Sequence, residues 1–137
     1  MANEAVIIEL LGNKGDPVSF TCSDGAVITK GDLLSLDDNR TVSGVSLTSH
    51  AFAGIAAADK VAGDGQTQIA CYTNGIFGLY SDGAINIASG VMVEVSGVNV
   101  VEIADLAEVE DYGKCVGKAL DSVAATTPEV IPVRVLV

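Results

Sequence analysis

Ile28-Thr29-Lys30-Gly31-Asp32-Leu33-Leu34 and Ile87-Ala88-Ser89-Gly90-Val91-Met92-Val93 are two versions of one strand-turn phrase. Each is followed by a matching piece. After the first comes Phe52-Ala53-Gly54-Ile55-Ala56-Ala57-Ala58-Asp59, and after the second Cys115-Val116-Gly117-Lys118-Ala119-Leu120-Asp121. Gly54 follows Gly31 by 23 positions and Gly117 follows Gly90 by 27, and an apolar run closes each copy, at 67–72 and at 130–135. Glycine at the turn accepts backbone angles closed to other residues, and the β-branched neighbours suit strands. The doubled phrase predicts a compact all-β fold with little helix: a β-barrel or β-tulip of two related halves.

Composition supports this reading. The chain has 137 residues, 49% hydrophobic but only 4% aromatic and without Trp, so its core is built of Val, Ile, Leu and Ala. That length suits one domain with a sizeable core. Turn residues recur at Asp24-Gly25, 37–40, 63–65, Asn74-Gly75, Asp82-Gly83 and Ser96-Gly97, the punctuation of short antiparallel strands. Val18, Phe20 and Cys22 alternate with polar residues, as in a half-buried strand. Helical turns are expected only at 57–62 and 105–112, and Pro132 places the last strand at a sheet edge or marks its start. The organisation is an N-terminal arm, residues 1–12, and a single barrel domain, residues 13–137.

Charge limits the partners. With seven Lys and Arg against 18 Asp and Glu, the net charge is −11. Neither nucleic-acid phosphates nor an anionic membrane attracts such a surface. The start of the chain lacks the basic segment of a signal peptide, and no apolar window approaches a membrane span. Cys22, Cys71 and Cys115 are odd in number, lack a CxxC pair and sit in apolar runs, so they read as free thiols of a chain made in a reducing cytoplasm.

Catalytic constellations are thin. The sole histidine, His50, has Thr48 and Ser49 beside it in sequence, but neighbours on a strand point to opposite faces. Asp37-Asp38 and the acidic group Asp105, Glu108, Glu110 and Asp111 read as solvated turns; calcium is the cation the second would suit, although no calcium-loop pattern surrounds it. Phosphate-loop motifs are absent, and no catalytic, cofactor-binding or metal residue is expected. The segment that stands out instead is Ala5, Val6, Ile7, Ile8, Leu10 and Leu11, too apolar to float in water. It is expected to dock on its own barrel, on a neighbouring subunit, or as a strand added to a partner's sheet, the alternative being an ordinary first strand of the domain.

The order Gly15-Asp16-Pro17-Val18-Ser19-Phe20-Thr21, Gly25-Ala26-Val27-Ile28-Thr29-Lys30-Gly31-Asp32, then Ala53-Gly54-Ile55-Ala56-Ala57-Ala58-Asp59, Gly117-Lys118-Ala119-Leu120-Asp121 and Val133-Arg134-Val135-Leu136-Val137 resembles the small capsid decoration, or cement, proteins of tailed double-stranded DNA phages. The resemblance runs from about Asn13 to Val137, and the 105–112 stretch and the three cysteines depart from it. It implies a homotrimer on the outer surface of the virion head, at threefold and quasi-threefold positions, clamping the major capsid protein and using no cofactor. The rival readings are a carbohydrate-binding or adhesin-like module, which would need aromatic rings on one exposed face, and a small hydrolase using His50.

Overall fold

The computed structural model describes residues 3–10, 17–45, 51–84, 86–107 and 109–136. Eleven strands follow one another: β1 (Val6–Glu9), β2 (Val18–Thr21), β3 (Leu33–Asp38), β4 (Thr41–Gly44), β5 (Phe52–Ala56), β6 (Gln68–Tyr72), β7 (Asn74–Ser81), β8 (Met92–Gly97), β9 (Val100–Ile103), β10 (Cys115–Ala119) and β11 (Glu129–Leu136). A 3₁₀ turn at Val109–Lys114 precedes β10. Strands β2-β4-β3-β5-β6 close into a barrel, and the rest form an open sheet in the order β1-β7-β11-β10-β8-β9.

The two halves are a structural duplication. Strands β2 to β6 correspond one by one to β7 to β11, with matching neighbours apart from closure. The registers agree in detail. Leu33 and Leu34 pair with Ile55 and Gly54, as Met92 and Val93 pair with Lys118 and Gly117. The β3–β4 hairpin and the β8–β9 hairpin carry the same bulge, and Arg40 and Asn99, 59 positions apart, both take positive φ in their turns. Even the isolated bridges repeat, Ile28 with Lys60 and Ile87 with Val123. In each half the turn glycine donates its N–H to the alanine that follows the second glycine by two, Gly31 to Ala56 and Gly90 to Ala119, both at 2.8 Å.

Closure differs between the halves for a packing reason. The barrel interior holds Cys22, Ile28, Leu34, Val42, Ala53, Ala56, Ile69 and Cys71. A five-stranded barrel is narrow, and small side chains suit its interior. In the second half, Val116 and Val133 stand where Ala53 and Cys71 stood, and Phe77 stands where Val18 stood. That larger core stays open on one side and closes against the outside of the barrel, burying Leu33, Val45, Phe52 and Ile55 in one shared cluster with Phe77, Leu79, Val93 and Val135.

Most expected turns are present, but several positions differ. Asn74-Gly75 opens β7 instead of turning, because Thr73 alone separates β6 from β7 as the chain passes from one half to the other. The β8–β9 turn falls on Val98 and Asn99, two residues beyond Ser96-Gly97. Residues 57–62 form a bridge at Lys60 and no helix, while the turn expected at 105–112 lies later. Pro132 sits in β11, a central strand between β7 and β10. Its carbonyl accepts from Leu120 N, so its missing N–H faces the same side, where β10 has already ended at Ala119.

Candidate interaction surface

The N-terminal arm docks on its own chain. Val6, Ile7 and Glu9 pair with Gly78, Phe77 and Ile76 of β7, extending the open sheet by one strand. Ala5 N donates to Gly31 O at 2.7 Å, tying the arm to the first half as well. A Cβ on Gly31 would lie 2.7 Å from Ala5 O, so glycine is needed there for close approach as well as for its φ of 95°. Ala5 and Leu10 pack on the shared core. Leu11 lies outside the described residues.

Main chain, rather than side chain, does most of the holding. Val6, Ile7 and Ile8 are 59%, 37% and 54% exposed, and among the described strands β1 ends its sheet with one edge unpaired. A cleft of about 290 Å³ runs beneath the arm, lined by Ala5, Val6, Ile7, Gly31, Ile55 and Tyr72 among others. An apolar edge strand with a free hydrogen-bonding side is a surface suited to receiving another chain.

Beyond the arm, the outer face of the open sheet is also apolar. Met92, Val130 and Leu136 are exposed, and strand alternation puts Arg134 between Pro132 and Leu136 on that side. Met92, Gly117, Lys118, Arg134 and Leu136 line a second cleft of about 260 Å³. Sequence reasoning missed this face. The signal was the alternation of β11 itself, where Ile131, Val133 and Val135 point inward and leave Val130, Arg134 and Leu136 outside.

Three of the buried polar residues, Asp32, Asn99 and Lys60, have structural roles. Asp32 and Asn99 join the two halves: Asn99 Nδ2 donates to Asp32 Oδ1 at 2.8 Å, and Leu33 N donates to Asn99 Oδ1 at 2.9 Å. Lys60 Nζ donates to Asp64 Oδ1 and to Asp24 O, both at 2.9 Å, clasping the 61–65 loop. That ammonium holds the Asp64 carboxyl below its ordinary value of 3.8. Burial pushes the Cys71 thiol up to about 12 and raises Cys22, so neither is poised as a nucleophile.

Other candidates divide between the described and undescribed parts of the chain. His50, with Thr48 and Ser49, lies outside the described residues, as does Glu108. Asp37 accepts hydrogen bonds from the hydroxyls of Ser35 and Ser43, a local turn network. Among the described residues no group of three His, Cys, Asp or Glu is placed to hold a metal. No described helix is long and apolar enough to cross a membrane. The six rings share no exposed face: Phe52 and Phe77 are buried, Phe20, Tyr72 and Tyr80 half-buried, and Tyr112 alone is exposed.

The class defined at this level is an all-β protein of two duplicated five-stranded units with a strand-forming arm. No protein-family model and no curated protein matches the chain.

Proposed function

We propose that this chain is a structural protein of a phage head, which binds the outer surface of the shell and stabilises it. Its partner is the major capsid protein, and three copies assemble at threefold and quasi-threefold positions. The ordered motifs from Gly15 to Val137 supply the family likeness. The observation that carries the contact itself is the arm, a strand pinned by its backbone that turns Val6 and Ile8 to solvent. Such side chains contribute little to folding and are available to a partner, each burying on the order of 2 kcal/mol of apolar surface on contact.

Many modest contacts around a shell act together, and binding only the mature shell stabilises that state by linkage. Heads lacking this protein are expected to lose DNA at lower temperature than decorated heads; equal survival removes the proposal. Since β1 completes a sheet, deleting it would disturb the fold as well as the surface. The double substitution Val6→Ser with Ile8→Ser is the cleaner probe, expected to weaken head binding while melting within a few degrees of the parent. Extra density of this mass at threefold positions of purified virions would locate the site directly.

A further inference from the structure

The duplication exposes an imbalance between its two copies. In the first half, Gly31 is buried beneath the arm, and the outward residues Leu33 and Ile55 are 2% and 0% exposed. In the second half the corresponding positions are Gly90, Met92 and Lys118, and all three are exposed. A Cβ on Gly90 would meet nothing within 4 Å, where one on Gly31 would strike the arm. The cleft lined by Met92, Gly117, Lys118, Arg134 and Leu136 overlaps the duplicate of the arm's cleft at two positions, Lys118 and Arg134 standing where Ile55 and Tyr72 line the first.

The chemistry of the open copy has changed in one direction. Register pairs Ile55 with Tyr72 in the first half and Lys118 with Arg134 in the second, so two apolar side chains have become two cations. Like charges opposite one another across strands repel, and in a chain of net charge −11 neither cation forms an ion pair with a carboxylate among the described residues. Glu94, on the same face, accepts from Asp105 N at 3.3 Å. Arg134 Nη1 and Asn74 Oδ1 are the two buried side-chain polar atoms left without a partner among the described residues. Alternation along β7 and β11 puts both on this side, Asn74 opposite Leu136 and Arg134 opposite Ile76. A buried guanidinium nitrogen without an acceptor is costly.

We infer that this second-half face is a docking site for an extended, acidic and apolar peptide segment of a partner chain. It lies as the arm lies in the first half, its carboxylate taken by Arg134 and Lys118 and its apolar side chains by Met92 and Leu136. The inference stands on the duplication and the charges, independently of the capsid reading. The chain's own residues 3–10, with Glu4 and Glu9 flanking Ala5 to Ile8, have this composition and make a suitable probe.

The experiment titrates an acetylated, fluorescein-labelled peptide of residues 3–10 with the full chain and follows anisotropy without any heads present. Saturable binding is expected, weakened about tenfold or more by Lys118→Gln with Arg134→Gln, and similarly by Glu4→Gln with Glu9→Gln in the peptide. Lys30→Gln, altering the exposed cation beside the first-half cleft, is expected to leave binding unchanged. The double variant should melt no lower than the parent, since Lys118 is exposed and Arg134→Gln removes an unpartnered buried guanidinium nitrogen. Absence of saturable binding overturns the inference, as does binding indifferent to Lys118 and Arg134. So does a peptide-free sedimentation coefficient that falls in the double variant, because the occupant is then a second copy. Head binding is measured separately, so failure of either proposal leaves the other standing.

Discussion

At the residue scale, the buried polar groups act as fasteners. Asn99 holds a left-handed turn, bonds Asp32 and receives the Leu33 N–H, and its removal takes the partner from the buried Leu33 N–H and from Asp32 Oδ1, leaving Asp32 only the Thr29 N–H on Oδ2. Asn99→Ala is expected to lower stability by about 3 kcal/mol in urea denaturation. The three thiols make a second test. A native chain treated with an aromatic disulfide reagent should react at Cys115 at most, and Cys22 and Cys71 should follow only in denaturant, as their burial and raised thiols dictate. Asp64 gives the pH dependence. Its carboxyl is held below 3.8 in the folded chain, so its contribution is fully present above that value and is lost as pH falls through the lower folded value. Asp64→Asn should therefore flatten the acid limb of the stability curve below pH 3.8. None of these partners was legible in sequence, because Asp32 and Asn99 are 67 positions apart and meet only when the halves pack.

At the element scale, the second glycine of each repeat is fixed by its neighbour strand. A Cβ on Gly117 would fall 1.9 Å from Arg134 O, and one on Gly54 would fall 2.8 Å from Tyr72 O. Gly117→Ala must move β11 or lose the β10–β11 ladder, at a cost of about 3 kcal/mol, whereas Gly97→Ala, with open space around it, should cost under about 1 kcal/mol. Thermal melts of the two variants compare them. This pairing of glycines was visible in the sequence through their like setting, Gly54-Ile55-Ala56 and Gly117-Lys118-Ala119. The place of β11 was not. Proline is read as an edge residue, yet Pro132 is central because the strand on its donor side stops short.

At the scale of the whole molecule, one phrase used twice yields two different objects. The first copy closes as a barrel and offers its outside to the second; the second stays open and leaves its own outside to solvent. The arm bridges them, pairing with β7 and donating to Gly31 O. Asymmetry of this kind gives a duplicated chain distinct surfaces for different neighbours, the arm edge at one place and the Lys118–Arg134 face at another. The proposed trimer on a shell would need such distinct faces, one toward sister copies and one toward the support.

The sequence by itself determined the all-β class, the two related halves, most turns and the apolar arm. Each depends on local pattern: strand alternation, glycine at left-handed turns and the run from Ala5 to Leu10. Only the tertiary structure decided which half closes, where the arm lies and which outer face remains bare. Those outcomes depend on the volume of side chains meeting from distant positions, Cys71 against Val133 and Val18 against Phe77, and on which copy of a repeated groove is already filled. The repeated Gly31 and Gly90 phrases specify two alike turns; the arm packed over one of them makes them different.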